Sequence, residues 1–149
     1  MTNNKKIFIF DLDDTLYLRQ LYNRNEMDFC QYTFDFCKKY EKKIKDILYK
    51  LKEKGYKIAL ASHNSYPYNL LKRMEIIDLF DIIIGEYPRL KVDMINEILD
   101  KTKLEKNDVL FLDDNFSIII QAEKHDIDTY YVKDEYGIDL SIFNQYIDE

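Results

Sequence analysis

The chain has 149 residues, enough for one domain with a sizeable hydrophobic core. Its hydrophobic content of 46% is typical of a folded globule, and its net charge of −6 argues against a general binder of nucleic acids or anionic membranes. No apolar run is long enough to span a bilayer. Cys30 and Cys37 lack metal or redox spacing, and the N-terminus leaves no room for a signal peptide, so we expect a reduced, cytoplasmic protein.

Short apolar runs with the length of strands alternate with helical patterns along the chain. The predicted strands cover 7–10, 57–61, 82–84, 109–112 and 129–132. The predicted helices are centred on Ile44–Leu51, 67–74, Met94–Leu99, Ile118–Ala122 and 138–147. Gly55 ends the first helix and Asn115 caps the fourth. Alternating βα units predict one α/β domain over 1–149, with a Rossmann-like, doubly wound parallel sheet and right-handed crossovers.

The stretch from 18 to about 40 is too long for a simple connection, and we interpret it as a flap inserted after strand one. Tyr32, Phe34 and Phe36 alternate with polar residues, which favours a half-exposed hairpin strand, although a helix also fits. The lysine-rich run 38–43 is typical of a solvated face. Because the insert directly follows an acidic cluster, we expect it to lie over the ligand site.

Clusters of carboxylates follow two of the predicted strands. Asp11, Asp13 and Asp14 come directly after strand one, and Asp113 and Asp114 come directly after strand four. Open α/β sheets bind their ligands at the carboxyl ends of their strands. Acids are also common in turns and helix caps, but two matched clusters of buried acids require a compensating cation. This pattern predicts a site for a hard divalent ion such as Mg²⁺.

Two further polar residues stand where a phosphoryl-transfer site needs them. Ser62 follows strand two, and Lys91 begins a later helix. A carboxylate can attack phosphorus, and a second carboxylate can protonate the leaving oxygen and then activate water. A hydroxyl and a lysine can hold the phosphoryl oxygens, while a metal reduces the repulsion between anions.

These motifs resemble the four motifs of the haloacid dehalogenase superfamily of aspartate-based phosphatases. They are Asp11-Leu12-Asp13-Asp14-Thr15, then Ser62, Lys91 and Asp113-Asp114, in this order. Tyr87-Pro88-Arg89-Leu90-Lys91 and Phe111-Leu112-Asp113-Asp114 look most like the magnesium-dependent phosphatase branch, which lacks a large cap domain. The resemblance implies a sheet of about five strands in the order 5-4-1-2-3.

The resemblance also implies catalytic and phosphate-binding roles. Asp11 would be the nucleophile, Asp13 the general acid and base, and Lys91 the partner of Asp11 and of a phosphoryl oxygen. Ser62 would bind phosphate together with the amide that follows it, and Thr15 would brace the motif loop beside the phosphate. His63 stands where the branch often has arginine, so its contribution to phosphate binding is an open question.

The implied ligands of Mg²⁺ come from both acidic clusters. Asp11 and Asp114 would ligate the metal directly, Asp13 through its backbone carbonyl, and Asp113 directly or through water. Ile118 replaces a polar residue that the branch often has four positions after the last aspartate, which leaves the support of the metal ligands in question.

We therefore expect a Mg²⁺-dependent phosphomonoester hydrolase that works through an aspartyl-phosphate. Its substrate would be a phosphorylated small molecule or phosphoprotein, either phosphotyrosine-like or a sugar phosphate, with no membrane partner. A nucleic-acid end phosphatase is an alternative, which would need a basic groove from residues such as Arg19, Arg24, Lys38 and Lys39. A receiver-like signalling domain is disfavoured because no acid follows strand two, and Asp11 and Asp13 argue against a non-catalytic module. The sequence does not indicate the oligomeric state.

Overall fold

A five-stranded parallel sheet forms the centre of the protein. The computed structural model describes residues 4–17, 31–132 and 138–147, with side chains from Lys38 onward in the second range. The strands are β1 (Ile7–Phe10), β2 (Lys57–Ser62), β3 (Ile82–Gly85), β4 (Val109–Asp113) and β5 (Asp128–Tyr131). Their order is β3-β2-β1-β4-β5, which confirms the predicted order and the doubly wound fold class.

Four described α-helices flank this sheet. They are α1 (Gln31–Glu53), α2 (Tyr68–Arg73), α3 (Lys91–Thr102) and α4 (Phe116–Lys124). Gly55 follows α1 with a φ of 91°, a conformation that glycine adopts without steric cost. The side chain of Asn115 accepts a hydrogen bond from the amide of Ile118, as predicted for the cap of α4.

Alternate residues of β1 pack into two separate cores, one on each face of the sheet. Phe8 and Phe10 contact the apolar face of α1 and the segment around Phe143. Ile7 and Ile9 face the opposite core, which α3 and α4 cover. All four residues of β1 are fully buried, as expected for a central strand of a parallel sheet covered on both faces.

Two predicted elements differ in the structure. The backbone from Gln31 onward is helical, so the hairpin interpretation of Tyr32, Phe34 and Phe36 is wrong and the helical alternative is correct. No glycine or proline interrupts residues 31–53, which allows the helix to run through the stretch. The flap was predicted for 18 to about 40, and its part over 18–30 lies outside the described residues. The predicted helix over 138–147 is also wrong, since only Leu140–Phe143 form a single 3-10 turn there.

The run 38–43 is only partly the solvated face that its lysines suggest. Lys38, Lys39 and Lys42 are exposed, but Tyr40 and Glu41 are buried. The helical repeat turns every third or fourth residue of α1 toward the sheet, so a charged run can carry buried members. Within the described ranges, no helix is both long and apolar enough to cross a membrane.

Candidate active site

The chain turns sharply after β1 and aims its acids at the carboxyl edge of the sheet. The amide of Asp11 still donates to the carbonyl of Leu112 on β4, at 2.9 Å. The amides of Thr15 and Leu16 then donate back to the carbonyl of Leu12, which closes a tight turn. Asp14 occupies the left-handed region with a φ of 61°, which aspartate tolerates better than most residues.

The register of the sheet brings the two acidic clusters together. Phe10 on β1 lies opposite Leu112 on β4, so the residues that follow each strand are neighbours. One carboxylate oxygen from each of Asp11, Asp113 and Asp114 lies within 4.8 Å of the other two. Asp11 and Asp113 are buried, while Asp114 is partly exposed. This arrangement is the one expected from strands one and four at the switch point of the fold.

Lys91, the first residue of α3, supplies the cation that this cluster contains. Its Nζ donates to Oδ1 of Asp11 at 2.8 Å and to Oδ2 of Asp113 at 2.9 Å. The side chain is buried, and its Nζ lies 5.7 Å from the centre of the Phe111 ring. A lysine that would ordinarily be solvated therefore lies inside the site, where it links the two acidic clusters.

The protein environment raises the pKa of two of these carboxyls. Burial is the main cause for Asp11, whose pKa rises to about 6 even though Lys91 opposes the shift. Burial and the neighbouring Asp11 raise the pKa of Asp114 to about 8. Burial lowers the pKa of Lys91, but Asp11 and Asp113 outweigh that effect and raise it. The cluster therefore favours an additional positive charge, whether a proton or a metal ion.

The described carboxylates fit a hard divalent cation. Asp11, Asp113 and Asp114 offer oxygen ligands, which Mg²⁺ prefers, and among the residues that the structure describes Lys91 is the one cation paired with Asp11 and Asp113. Both oxygens of Asp113 already accept hydrogen bonds, from Lys91 and from the amide of Asn115. Both oxygens of Asp11 also accept hydrogen bonds, from Lys91 and Thr15, so the partly exposed Asp114 is the most available ligand of the three. The side chain of Asp13 is not part of this group of three.

The hydroxyls of Ser62 and Thr15 differ in how they can serve an anion site, because that of Thr15 donates to Asp11. The amide of Asn64 donates to Oγ of Ser62 at 3.0 Å, so the Ser62 hydroxyl retains its proton for another acceptor. Thr15 donates to Oδ2 of Asp11 at 3.3 Å, on the opposite oxygen from Lys91. Thr15 and Lys91 therefore fix the orientation of the Asp11 carboxylate from both sides.

His63 contacts the loop before α3. Its Nε2 donates to the carbonyl of Arg89 at 2.6 Å, which assigns the proton to that nitrogen. The ring also meets that of Tyr87 edge to face, with centroids 5.6 Å apart. These contacts give His63 a structural role that joins the β2 and β3 loops, while its binding of phosphate stays a prediction.

Tyr40 is a supporting residue that sequence reasoning missed. Its hydroxyl donates to the carbonyl of Thr15 at 2.5 Å and accepts from the amide of Ile138 at 2.9 Å. It thereby ties the turn after β1 to the C-terminal segment. Its burial could have been predicted from its spacing, because Tyr40 lies at the helical repeat from Ile44, Ile47 and Leu51 and shares with them the apolar face of α1.

Comparisons with known proteins agree with this geometry. A family model described as haloacid dehalogenase-like hydrolase matches residues 18–132. No protein among those with curated functions matches the chain. The fold is similar to a haloacid dehalogenase-like family hydrolase from Streptococcus pneumoniae, with a TM-score of 0.66 at 18% identity, over 99% of this chain and 93% of the other.

Two further solved structures share the fold at low identity. One is the N-terminal part of a Bacteroides fragilis protein that contains a phosphatase domain complexed with Mg, with a TM-score of 0.67 at 19% identity. That match covers 96% of this chain and 40% of the other. A phosphatase of the same superfamily from Thermococcus onnurineus gives a TM-score of 0.62 at 16% identity, over 86% of each chain.

Proposed function

The chain belongs to the haloacid dehalogenase-like hydrolase family, and on this basis we propose that it is a Mg²⁺-dependent phosphomonoester hydrolase. The observation that carries the proposal is the contact between Lys91 and Asp11 inside a group of three carboxylates. A buried carboxylate held in this way is positioned as a nucleophile, and a lysine beside it can also contact a phosphoryl oxygen.

In the first half of the reaction, an oxygen of Asp11 attacks phosphorus and the bond from phosphorus to the leaving oxygen breaks. Asp13 gives its proton to that leaving oxygen, so the alcohol departs neutral. Asp13 is suited to this role because it lies two residues after Asp11, and its side chain is only partly buried and lies outside the group of three carboxylates.

In the second half, Asp13 accepts a proton from water, whose oxygen attacks the phosphorus of the aspartyl-phosphate. The bond between phosphorus and Asp11 breaks, and inorganic phosphate leaves. The hydroxyl of Ser62 and the ammonium of Lys91 would donate to the phosphoryl oxygens throughout. The side chains of Asp11, Asp113 and Asp114 would hold a Mg²⁺ ion together with the backbone carbonyl of Asp13. The ion would reduce the repulsion between the anionic nucleophile and the anionic substrate.

The strand order argues against the signalling alternative. Receiver domains have the order 2-1-3-4-5, whereas this chain has β3-β2-β1-β4-β5. A nucleic-acid end phosphatase stays an alternative. Of the four basic residues that it would use, Arg19 and Arg24 lie outside the described residues, while Lys38 and Lys39 are exposed on α1.

The test combines turnover with capture of the intermediate. Purified protein is assayed on a panel of phosphorylated metabolites, phosphopeptides and oligonucleotides, with Mg²⁺ and with excess chelator. Acid quenching with radiolabelled substrate should trap a protein-bound phosphate that hydroxylamine releases. Asp11→Asn should lose both signals, while the matched control Asp14→Asn should keep them, because Asp14 lies outside the group of three carboxylates. Full turnover in chelator, or by Asp11→Asn, would disprove the mechanism.

A further inference from the structure

Large apolar side chains that face solvent are concentrated around the proposed active site. Among the described residues, six such side chains are exposed, and five of them follow the carboxyl ends of strands. These five form what we call the rim: Tyr66, Tyr68, Tyr87, Leu90 and Phe116. The sixth, Tyr49, lies in the middle of α1. Apolar groups gathered in one place on a surface mark a binding site, whereas scattered ones need no explanation.

Each part of the rim is close in the chain to a residue of the site. Leu90 directly precedes Lys91, and Phe116 comes two residues after Asp114. Tyr87 lies against His63, which directly follows Ser62. The rim therefore borders the place where the proposed function puts the phosphoryl group.

Polar contacts fix the conformation of the loops that carry Tyr87 and Tyr66. Arg89 forms ion pairs with Glu86 at 3.0 Å and Glu97 at 2.8 Å, and its carbonyl accepts from His63. In the β2 loop, the amide of Tyr66 donates to the side chain of Asn64 at 2.9 Å. A surface organised before binding costs less to occupy.

The rings have few aromatic partners of their own. Tyr66 and Tyr68 meet edge to face, with centroids 5.3 Å apart, Tyr87 lies nearly perpendicular to His63, and Phe116 packs against Tyr131. Tyr87 is 72% exposed and Tyr66 is 64% exposed, so ring faces remain open to solvent. Such faces bind flat ring systems by stacking and tolerate variation in the ring.

The position of Tyr87 indicates how the ring of a ligand is joined to its phosphate. Asp11 follows β1 and Tyr87 follows β3, two strands away, which corresponds to about 10 Å across the sheet. A flat group at that distance needs a spacer between itself and the phosphorus. Resting on the proposed phosphatase function, we propose that the preferred substrate is a nucleoside monophosphate, with its sugar as the spacer and its base stacked on the Tyr87 side of the rim.

The sharpest test uses two substrates with the same bond to be broken. Adenosine 5′-monophosphate and ribose 5-phosphate both lose phosphate from the 5-oxygen of ribose, and they differ at C1, which carries the base in one and a hydroxyl in the other. We expect kcat/KM for the nucleotide to exceed that for the sugar phosphate by about tenfold, the lower range of one stacked base. Tyr87→Ala should remove most of this advantage, so that the ratio of the two kcat/KM values falls toward one, whereas Tyr49→Ala, the matched control on α1, should leave that ratio unchanged.

The outcomes separate this inference from the proposed function. No Mg²⁺-dependent turnover of either substrate or of a generic aryl phosphate would overturn the proposed function itself. Turnover of both substrates at equal kcat/KM, with no effect of Tyr87→Ala, would overturn only the inference. A phosphotyrosyl peptide that is preferred to the nucleotide and depends on Tyr87 would also overturn it, because the recognised ring would then belong to a peptide.

Discussion

Replacing the proposed nucleophile by its neutral isostere should destroy activity and yet stabilise the metal-free protein. In Asp11→Asn the side chain keeps its shape and still offers Lys91 an acceptor oxygen, 2.8 Å away in the native protein. What disappears is a buried negative charge beside Asp113 and Asp114. The substitution therefore removes the cost of burying this charge, and the smaller repulsion from Asp113, without creating a cavity.

The size of the effect follows from the raised pKa of Asp11. A change from 3.8 to about 6 corresponds to about 3 kcal/mol against the ionised form in the folded state. Because the folded state holds the proton more tightly, the free energy of unfolding of the native chain falls as pH rises from about 4 through about 6. The asparagine variant escapes this loss, and for a domain of this size its melting temperature at pH 8 should rise by about 6–12 °C.

Thermal unfolding in excess chelator at pH 8 and pH 4 measures this difference. The gain should be present at pH 8 and should vanish at pH 4, where Asp11 is protonated in the folded state. Asp14→Asn is the control, and its melting temperature should change little because a left-handed position accepts asparagine as readily as aspartate. A variant Asp11→Asn that melts lower than the native chain at pH 8, or gains equally at both pH values, would refute the reasoning.

Three further predictions concern the same site. Lys91→Met leaves Asp11 and Asp113 buried without their cation, so the free energy of unfolding of the metal-free protein, measured with urea, should fall by about 3–5 kcal/mol. An unchanged urea midpoint would contradict the buried pairing. Tyr40→Phe leaves the Thr15 carbonyl and the Ile138 amide without the Tyr40 hydroxyl, so the free energy of unfolding in urea should fall by about 1–3 kcal/mol. Tyr49→Phe should leave it unchanged, and equal losses in the two variants would contradict a stabilising role for these two hydrogen bonds. Mg²⁺ affinity, measured by calorimetry, should increase from pH 5 to pH 8 as Asp11 and Asp114 lose protons; constant affinity would exclude that competition.

The five strands were predictable because the apolar runs are short and the acids that end two of them are conspicuous, whereas the strand order was implied by the family resemblance. Ile7–Phe10 and Val109–Leu112 are continuous runs of large apolar residues, which fit only strands covered on both faces. The register that pairs Phe10 with Leu112 then brings the acids together without further information. For this reason the grouping of Asp11, Asp113 and Asp114 could be anticipated from the sequence alone.

The helical start of α1 and the burial of Tyr40 were harder to predict because they depend on tertiary packing. Three aromatic residues in alternation satisfy a strand pattern, but they also satisfy part of a helix of 23 residues. Tyr40 lies among lysines, and only its contacts with Thr15 and Ile138, which are distant in sequence, show why it faces inward. The contact of His63 with Arg89 likewise depends on how two loops meet, which no local pattern encodes.

Buried charge is balanced at the amino end of the sheet and unbalanced at the carboxyl end. This difference explains why the sequence suggested a function at the carboxyl end only. At the amino end, the buried Nζ of Lys5 contacts Asp128 and the carbonyl of Asn107, so its charge is locally balanced. At the carboxyl end, Lys91 pairs with two carboxylates of a group of three. A balanced pair can be replaced by apolar residues without loss of a ligand site, since it serves the fold alone. An excess of buried acids destabilises the metal-free fold, a cost that the proposed mechanism accounts for, because there the same carboxylates bind a cation and Asp11 attacks phosphorus.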